Sequence, residues 1–164
     1  MFIAHLPAGY LLNAALIPAS TARCRALWAT GLFFAVAPDL DLLWFYLASD
    51  RSIPHHQYIT HWPLLWAVMA CLASSLCLLL KRPAWLPFIG VAFANVLLHL
   101  ILDSVAAEIY WLAPFSRISI NLVRVPAHYS WWVWNFFLHW TFAVEAGLCL
   151  AAAALFVHRR RSRP

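Results

Sequence analysis

Apolar residues run almost unbroken through Ala26–Ala48, Trp62–Leu80, Ala84–Ala107 and Trp131–Val157. Each run matches the ~20 residues that a helix needs to cross the hydrocarbon core of a bilayer. A fifth run, Phe2–Ile17, is shorter and contains Pro7; it is expected to span a thin region or to lie partly in the interface. The pattern predicts an all-α polytopic membrane protein, with four to five transmembrane helices in one bundle and a short loop region on one face. No internal repeat or low-complexity linker divides the chain. Residues 1–158 read as one integral membrane domain, and 159–164 as a basic, disordered tail.

Composition agrees with lipid as the main solvent. Charged residues make up 10% of the chain, where a soluble domain carries about a quarter, so one core cannot absorb the 65% that is hydrophobic. Ten Trp fit helix ends seated among headgroups. Cys24, Cys71, Cys77 and Cys149 form no CxxC pair, and three lie in or beside apolar runs, so they read as small buried hydrophobes. The start of the chain lacks the basic region of a cleavable signal peptide, so the first segment is expected to stay.

The net charge of +5 does not point to nucleic acid, because the basic residues sit in short clusters between apolar runs. Arg23, Arg25, Lys81, Arg82, Arg159, Arg160, Arg161 and Arg163 fall on one side of four alternating spans, and only Arg51, Arg117 and Arg124 on the other. The richer side marks the cytoplasm. A multi-pass protein of the inner (plasma) membrane follows, with its C-terminus cytoplasmic and loops 49–61 and 108–130 facing outward. Within the second loop, Ala113–Tyr129 alternates Ile118, Ile120, Leu122 between Pro114 and Pro126, as a short β-like excursion would.

Polar residues inside these runs carry the chemistry. Asp39 and Asp41 follow Pro38, which removes a backbone donor and is expected to break the helix. Irregular backbone at that depth is tolerated where it lines a cavity or packs inside protein. With no Lys or Arg in the segment, a metal ion is a natural counter-charge for two carboxylates. His99 and Asp103, at i and i+4, share one helix face, and Asn95 extends the stripe. His55, His56 and His61 occupy the outer loop, and His5 opens the first segment, followed on the same face by Gly9 and Asn13. His139 and Glu145, in the last segment, are secondary candidates. His5, Asp39, Asp41, His56, His61, His99 and Asp103 thus come from four segments yet share one depth near the outer face.

Plainer roles exist for each residue alone. An intramembrane His–xxx–Asp is often an interhelical hydrogen-bonding pair. Asp39 and Asp41 fit a helix-break cap or a proton path, and His55 and His128 fit headgroup-level residues. Seven such groups at one level favour a metal or catalytic site.

These strings resemble the membrane-bound, metal-dependent hydrolase family typified by the LexA-regulated inner-membrane protein YdjM. The matching motifs are His5–Gly9, Pro38-Asp39-Leu40-Asp41, His56 through Thr60-His61, His99–Asp103 and Pro114-Phe115-Ser116, in order, across about residues 2–116. Two departures stand out: Gln57-Tyr58 replaces an Arg-Gly, and Trp62 replaces a Ser. The resemblance implies hydrolysis. A remoter likeness to zinc-dependent phospholipase C and related nucleases, which place a His–x3–Asp on a helix at a multi-zinc site, points toward phosphoesters.

The expectation is therefore a hydrolase of a membrane lipid or lipid-linked phosphoester, working at the outer face. One or two divalent ions, zinc foremost, would be held by His5, Asp41, His56, His61, His99 and Asp103. Asp39 would act as general base and Thr60 would orient a ligand. Arg51, Arg117 and Arg124 are the outer-face cations available to a phosphate. A metal-ion or proton transporter, or a non-catalytic scaffold, is the alternative. An ion path would need polar stepping stones toward the cytoplasm, and only Asn95, Ser74, Ser75 and Glu145 offer themselves.

Overall fold

The computed structural model describes residues 3–18 and 24–161; Phe2 of the first apolar run, and Arg23 and Arg163 of the basic clusters, lie outside them. Among the described residues seven α-helices follow in order: α1 (His5–Leu16), α2 (Cys24–Phe34), α3 (Asp41–Leu47), α4 (Pro63–Leu79), α5 (Leu86–Ala106), α6 (Trp132–Phe137) and α7 (Thr141–Arg161). Short 3-10 turns at Pro38–Leu40, His55–Gln57, Ile59–His61 and Pro83–Trp85 link them. Among the described residues there is no strand. The β-like excursion amounts to one antiparallel bridge, Ile109 to Ile120. Even so, that segment finishes a helix. The amides of Leu122 and Val123 donate to the carbonyls of Ser104 and Val105 at 2.8 Å, satisfying acceptors that the end of α5 leaves open.

The expected four to five spans are reduced. By length and composition two helical stretches can cross a membrane, Pro83–Ala106 and Thr141–Arg161, and a third exists if the bent pair Cys24–Phe34 and Pro38–Leu47 counts as one span. Proline and length explain the difference. Pro38 opens a new turn and the axis swings by 55°. α4 starts at Pro63, where a missing N–H costs nothing, but its 17 residues rise only about 25 Å against a core of about 30 Å. The run Trp131–Val157 breaks between α6 and α7, and α1, with 12 residues, stops ahead of Pro18. At the far end α7 continues as helix into the basic residues as far as Arg161.

Large apolar side chains point outward along the helices, among them Leu43, Trp44, Leu47, Leu72, Leu76, Leu150 and Phe156. In water such a surface would aggregate; in lipid it is the ordinary exterior. Cys71 belongs to this exposed face of α4, against the expectation of burial.

The centre is polar instead. α1 and α5 run antiparallel, and their stripes face one another residue by residue: His5 meets Asp103, and Asn13 meets Asn95. Asn95 Nδ2 donates to Asn13 Oδ1 and to Val91 O, both at 2.9 Å. α2 closes the gap with small residues. A Cβ at Gly9 would lie 2.5 Å from Ala35 Cβ, and one at Gly31 would overlap the Asn13 side chain. Beyond Asn13 the core turns apolar, with Ile17, Leu27 and Val91 packed together. The segments that carry His5, Asp39, Asp41, His55, His56, His61, His99 and Asp103 converge at one end of the bundle, and Arg25, Arg82 and Arg159 belong to the other.

Candidate metal centre

Each element delivers its ligand for a local reason. Two i, i+4 steps on α5 bring Asn95, His99 and Asp103 onto its buried face. The break at Pro38 lets Asp39 and Asp41 leave the helix axis on a 3-10 turn, so their carboxylates diverge. The loop after α3 folds into two 3-10 turns that carry His55, His56 and His61. Indole N–H groups brace these turns, Trp66 donating to Thr60 O at 2.7 Å and Trp62 to Gln57 O at 3.3 Å.

Asp39, His61, His99 and Asp103 converge, with one ligand atom from each lying within 4.8 Å of all the others. His99 Nε2 lies 3.0 Å from Asp103 Oδ2 and 3.6 Å from Asp39 Oδ1; His61 Nε2 lies 3.7 and 3.6 Å from the same two atoms. Two nitrogens of a tetrahedral zinc site, at bonds of about 2.0–2.1 Å, stand roughly 3.3 Å apart. The spacing fits an ion.

The opposite ring nitrogens explain why these face inward. His99 Nδ1 is 2.9 Å from Ala35 O, and a carbonyl only accepts, so Nδ1 carries a hydrogen. Its Nε2 faces the carboxylates of Asp39 and Asp103, where a cation between them would be held from three sides. His61 Nε2 and His99 Nε2 are both buried without a hydrogen bond. A buried nitrogen with no partner costs ~1–3 kcal/mol, which coordination removes.

Asp41 lies behind this group. Its Oδ1 is 3.2 Å from His55 Nδ1, its Oδ2 is 3.0 Å from His61 Nδ1, and Thr60 Oγ1 donates to the same Oδ2. This is the carboxylate–histidine pattern that orients metal ligands. Asp103 also faces a second pair through its other oxygen, His5 Nε2 at 3.0 Å and His56 Nε2 at 3.7 Å. His55, His56 and His61 form a further triplet of ligand distance. His55, read from sequence as a headgroup-level residue, therefore belongs to the cluster; its position beside His56 on a tight turn was the available signal.

Protonation outside the spans differs sharply between neighbours. Burial, which alone would lower it, is outweighed at His61 by the neighbouring carboxylates of Asp39, Asp41 and Asp103, raising its pKa to about 9. At His56 burial dominates over the attraction of Asp103, and the pKa falls to about 3.

Access is one-sided. The side chains of Asp39 and His56 are 25% and 24% exposed, whereas His61, His99 and Asp103 are closed off. Both open residues line a cleft of about 410 Å³, walled by Leu42, Phe45, Tyr46 and Phe136.

Other expected residues lie elsewhere. His139 Nδ1 pairs with Thr141 Oγ1 at 2.9 Å, and Glu145 accepts from the Ile3 amide at 2.6 Å, so both serve the packing of α7. Arg117 and Arg124 are exposed loop residues. Arg51, with φ of 59°, lays its guanidinium over the Tyr46 ring at 5.2 Å and donates to Tyr46 O at 3.2 Å, at the rim of the cleft. The departures from the motif brace the loop: Gln57 reaches Glu108 at 3.5 Å, and Trp62 clips the first turn.

A profile of the YdjM inner membrane protein family matches residues 1–162. No curated protein and no solved structure matches the chain.

Proposed function

The chain belongs to the YdjM inner membrane protein family, and on that premise we propose that it is a metal-dependent hydrolase of a lipid or lipid-linked phosphoester. One observation carries the proposal: two buried imidazole nitrogens and two carboxylates converge at ligand spacing, each imidazole held from behind by an acceptor. The donor set suits zinc. Asp39, His61, His99 and Asp103 would hold one ion, with His5 and His56 on the far oxygen of Asp103. Bound there, such an ion supplies a polarising positive charge and acidifies water.

Relative to the expectation from sequence, Asp39 joins the ligand set and Asp41 leaves it. Asp39 is the carboxylate among the converging atoms, and its exposed side on the cleft lets it accept a proton from incoming water. Asp41 is a positioning residue: with Thr60 it holds His55 and His61 in the ring orientation that turns Nε2 inward. The apolar cleft walls favour a substrate with acyl or isoprenoid carbon. Arg51, at the rim, is placed to meet its anionic group. Lys81, Arg82 and Arg159 at the opposite end support a reading in which that end faces the cytoplasm and the cluster the outer face.

An ion path across the bundle is disfavoured, because the polar column ends at Asn13 and meets Ile17, Leu27 and Val91. The test combines metal analysis of detergent-purified protein with a hydrolysis screen over phospholipids and polyprenyl phosphates. Bound zinc or another transition metal, with phosphate-ester turnover abolished in His99→Ala, is expected. A folded preparation free of metal that hydrolyses at the full rate would sink the proposal.

A further inference from the structure

At the end of the bundle away from the His–Asp cluster, a cavity of about 660 Å³ opens between α1, α2 and α7. Arg25, Arg159 and Arg160 line it, together with Tyr10, Trp28 and Phe156. Two of its cations are held in place: Arg159 donates to Ala14 O at 3.1 Å and lies over the Trp28 ring at 5.5 Å, and Arg160 lies over Phe156 at 5.2 Å. Stacking on aromatic faces fixes a guanidinium plane while leaving its remaining N–H donors available.

Among the described residues no acidic side chain lies at this cavity. The six acidic residues, Asp39, Asp41, Asp50, Asp103, Glu108 and Glu145, belong to the end that carries the cluster. Three arginines lining one cavity suit an anionic ligand. The walls decide which kind. Aromatic and aliphatic side chains form most of the lining, and the surrounding helices expose apolar residues to lipid. A small soluble anion would leave that apolar surface uncovered; a phosphate carrying a diacylglycerol would meet both parts.

We propose that this cavity binds the phosphate of an anionic membrane phospholipid, its headgroup between Arg25 and Arg160 and its acyl chains along Tyr10, Trp28 and Phe156. The site is separate from the metal centre and does not depend on hydrolysis. Its chemistry follows the general tendency of basic pockets between membrane helices to hold acidic headgroups.

Native mass spectrometry of the full chain, released from detergent micelles, tests it with phosphatidylglycerol and phosphatidylcholine of equal chain length, and with glycerol 3-phosphate as competitor. Phosphatidylglycerol should bind at least about tenfold tighter than phosphatidylcholine, since each arginine near an acidic headgroup contributes about 1 kcal/mol. Arg25→Gln with Arg160→Gln should erase that preference, whereas Arg25→Lys with Arg160→Lys should keep most of it. Arg159 is left alone because it ties α7 to α1. Equal binding of the two lipids, or an unchanged preference in the glutamine variant, overturns the proposal. So does an equal loss from Arg117→Gln with Arg124→Gln at the other end, which would mark general charge attraction. Displacement of the lipid by glycerol 3-phosphate at matching concentration would overturn the lipid assignment.

Discussion

His5 and His99 stack with ring centroids 3.8 Å apart and planes inclined by 22°, and each directs its Nε2 at a different oxygen of Asp103, 3.0 Å away. One carboxylate thus joins the first helix of the chain to α5 and faces two sets of imidazoles. Asp103→Asn keeps the shape and removes the charge. We expect it to lower metal retention by at least about tenfold, as loss of a ligand or its close support does, while helix content in detergent is kept. Metal analysis beside circular dichroism checks this, and a variant that still carries a full complement of ion would exclude Asp103 from coordination.

The two aspartates after Pro38 should separate by experiment. Asp39→Ala removes a converging oxygen and should abolish turnover. Asp41→Ala should leave residual activity and weaken the ion by about 10–100-fold, the usual range for a residue that orients a ligand. Thr60→Val should follow Asp41→Ala in direction and be milder. Zinc affinity measured by competition with a chelator distinguishes them, and the reverse ranking of the two alanine variants would restore Asp41 as the ligand.

Protons should leave when metal enters. A histidine must be neutral at the coordinating nitrogen, and in the metal-free protein His61 holds its second proton up to about pH 9. Affinity should therefore rise with pH between 7 and 9. For stability the sign is opposite: a raised folded pKa stabilises the metal-free fold fully below the unfolded value near 6.5, and that stabilisation fades as pH climbs through about 9. His56, already neutral at pH 7, contributes no proton. Calorimetry in buffers of different ionisation enthalpy should report about one proton released per ion at pH 7. Zero release would remove His61 from the ligand set.

Much of this site was legible in the chain, and the reasons are physical. Ionisable residues inside apolar runs stand out because lipid tolerates few, so His5, Asp39, Asp41, His99 and Asp103 announced themselves, and the i, i+4 spacing placed His99 and Asp103 on one face. Roles were harder to read. Whether Asp39 or Asp41 points inward depends on the path of a 3-10 turn, which periodicity does not encode, and His55 looked interfacial because an irregular loop hides its facing. The span count failed for a related reason. Hydropathy registers an apolar run, not a backbone break within it, so the interruption before Thr141 passed as continuous helix, whereas the break expected at Pro38 is present.

Close helix contact around the centre predicts a paired genetic effect. Gly31→Ala places a methyl on the Asn13 side chain, and Gly9→Ala places one against Ala35 Cβ, 2.5 Å away. Each should destabilise by about 1–3 kcal/mol, the usual cost of overpacking. Asn13→Ala should partly rescue Gly31→Ala and leave Gly9→Ala unrelieved, because only the first clash involves that amide. Thermal melts in detergent provide the readout, and equal rescue of both would refute the packing assignment.

The exposure of Asp39 and His56, set against the closure of His61, His99 and Asp103, has a kinetic consequence. The cleft onto which both open is bordered by the turn that carries His55–Gln57, and that turn is pinned by the Trp62 indole on Gln57 O. Exchange should then be governed by loop opening and not by bond strength alone. The occupant would be decided early, when the chain first closes around whichever cation is at hand, and an external chelator would strip it slowly even where equilibrium favours removal.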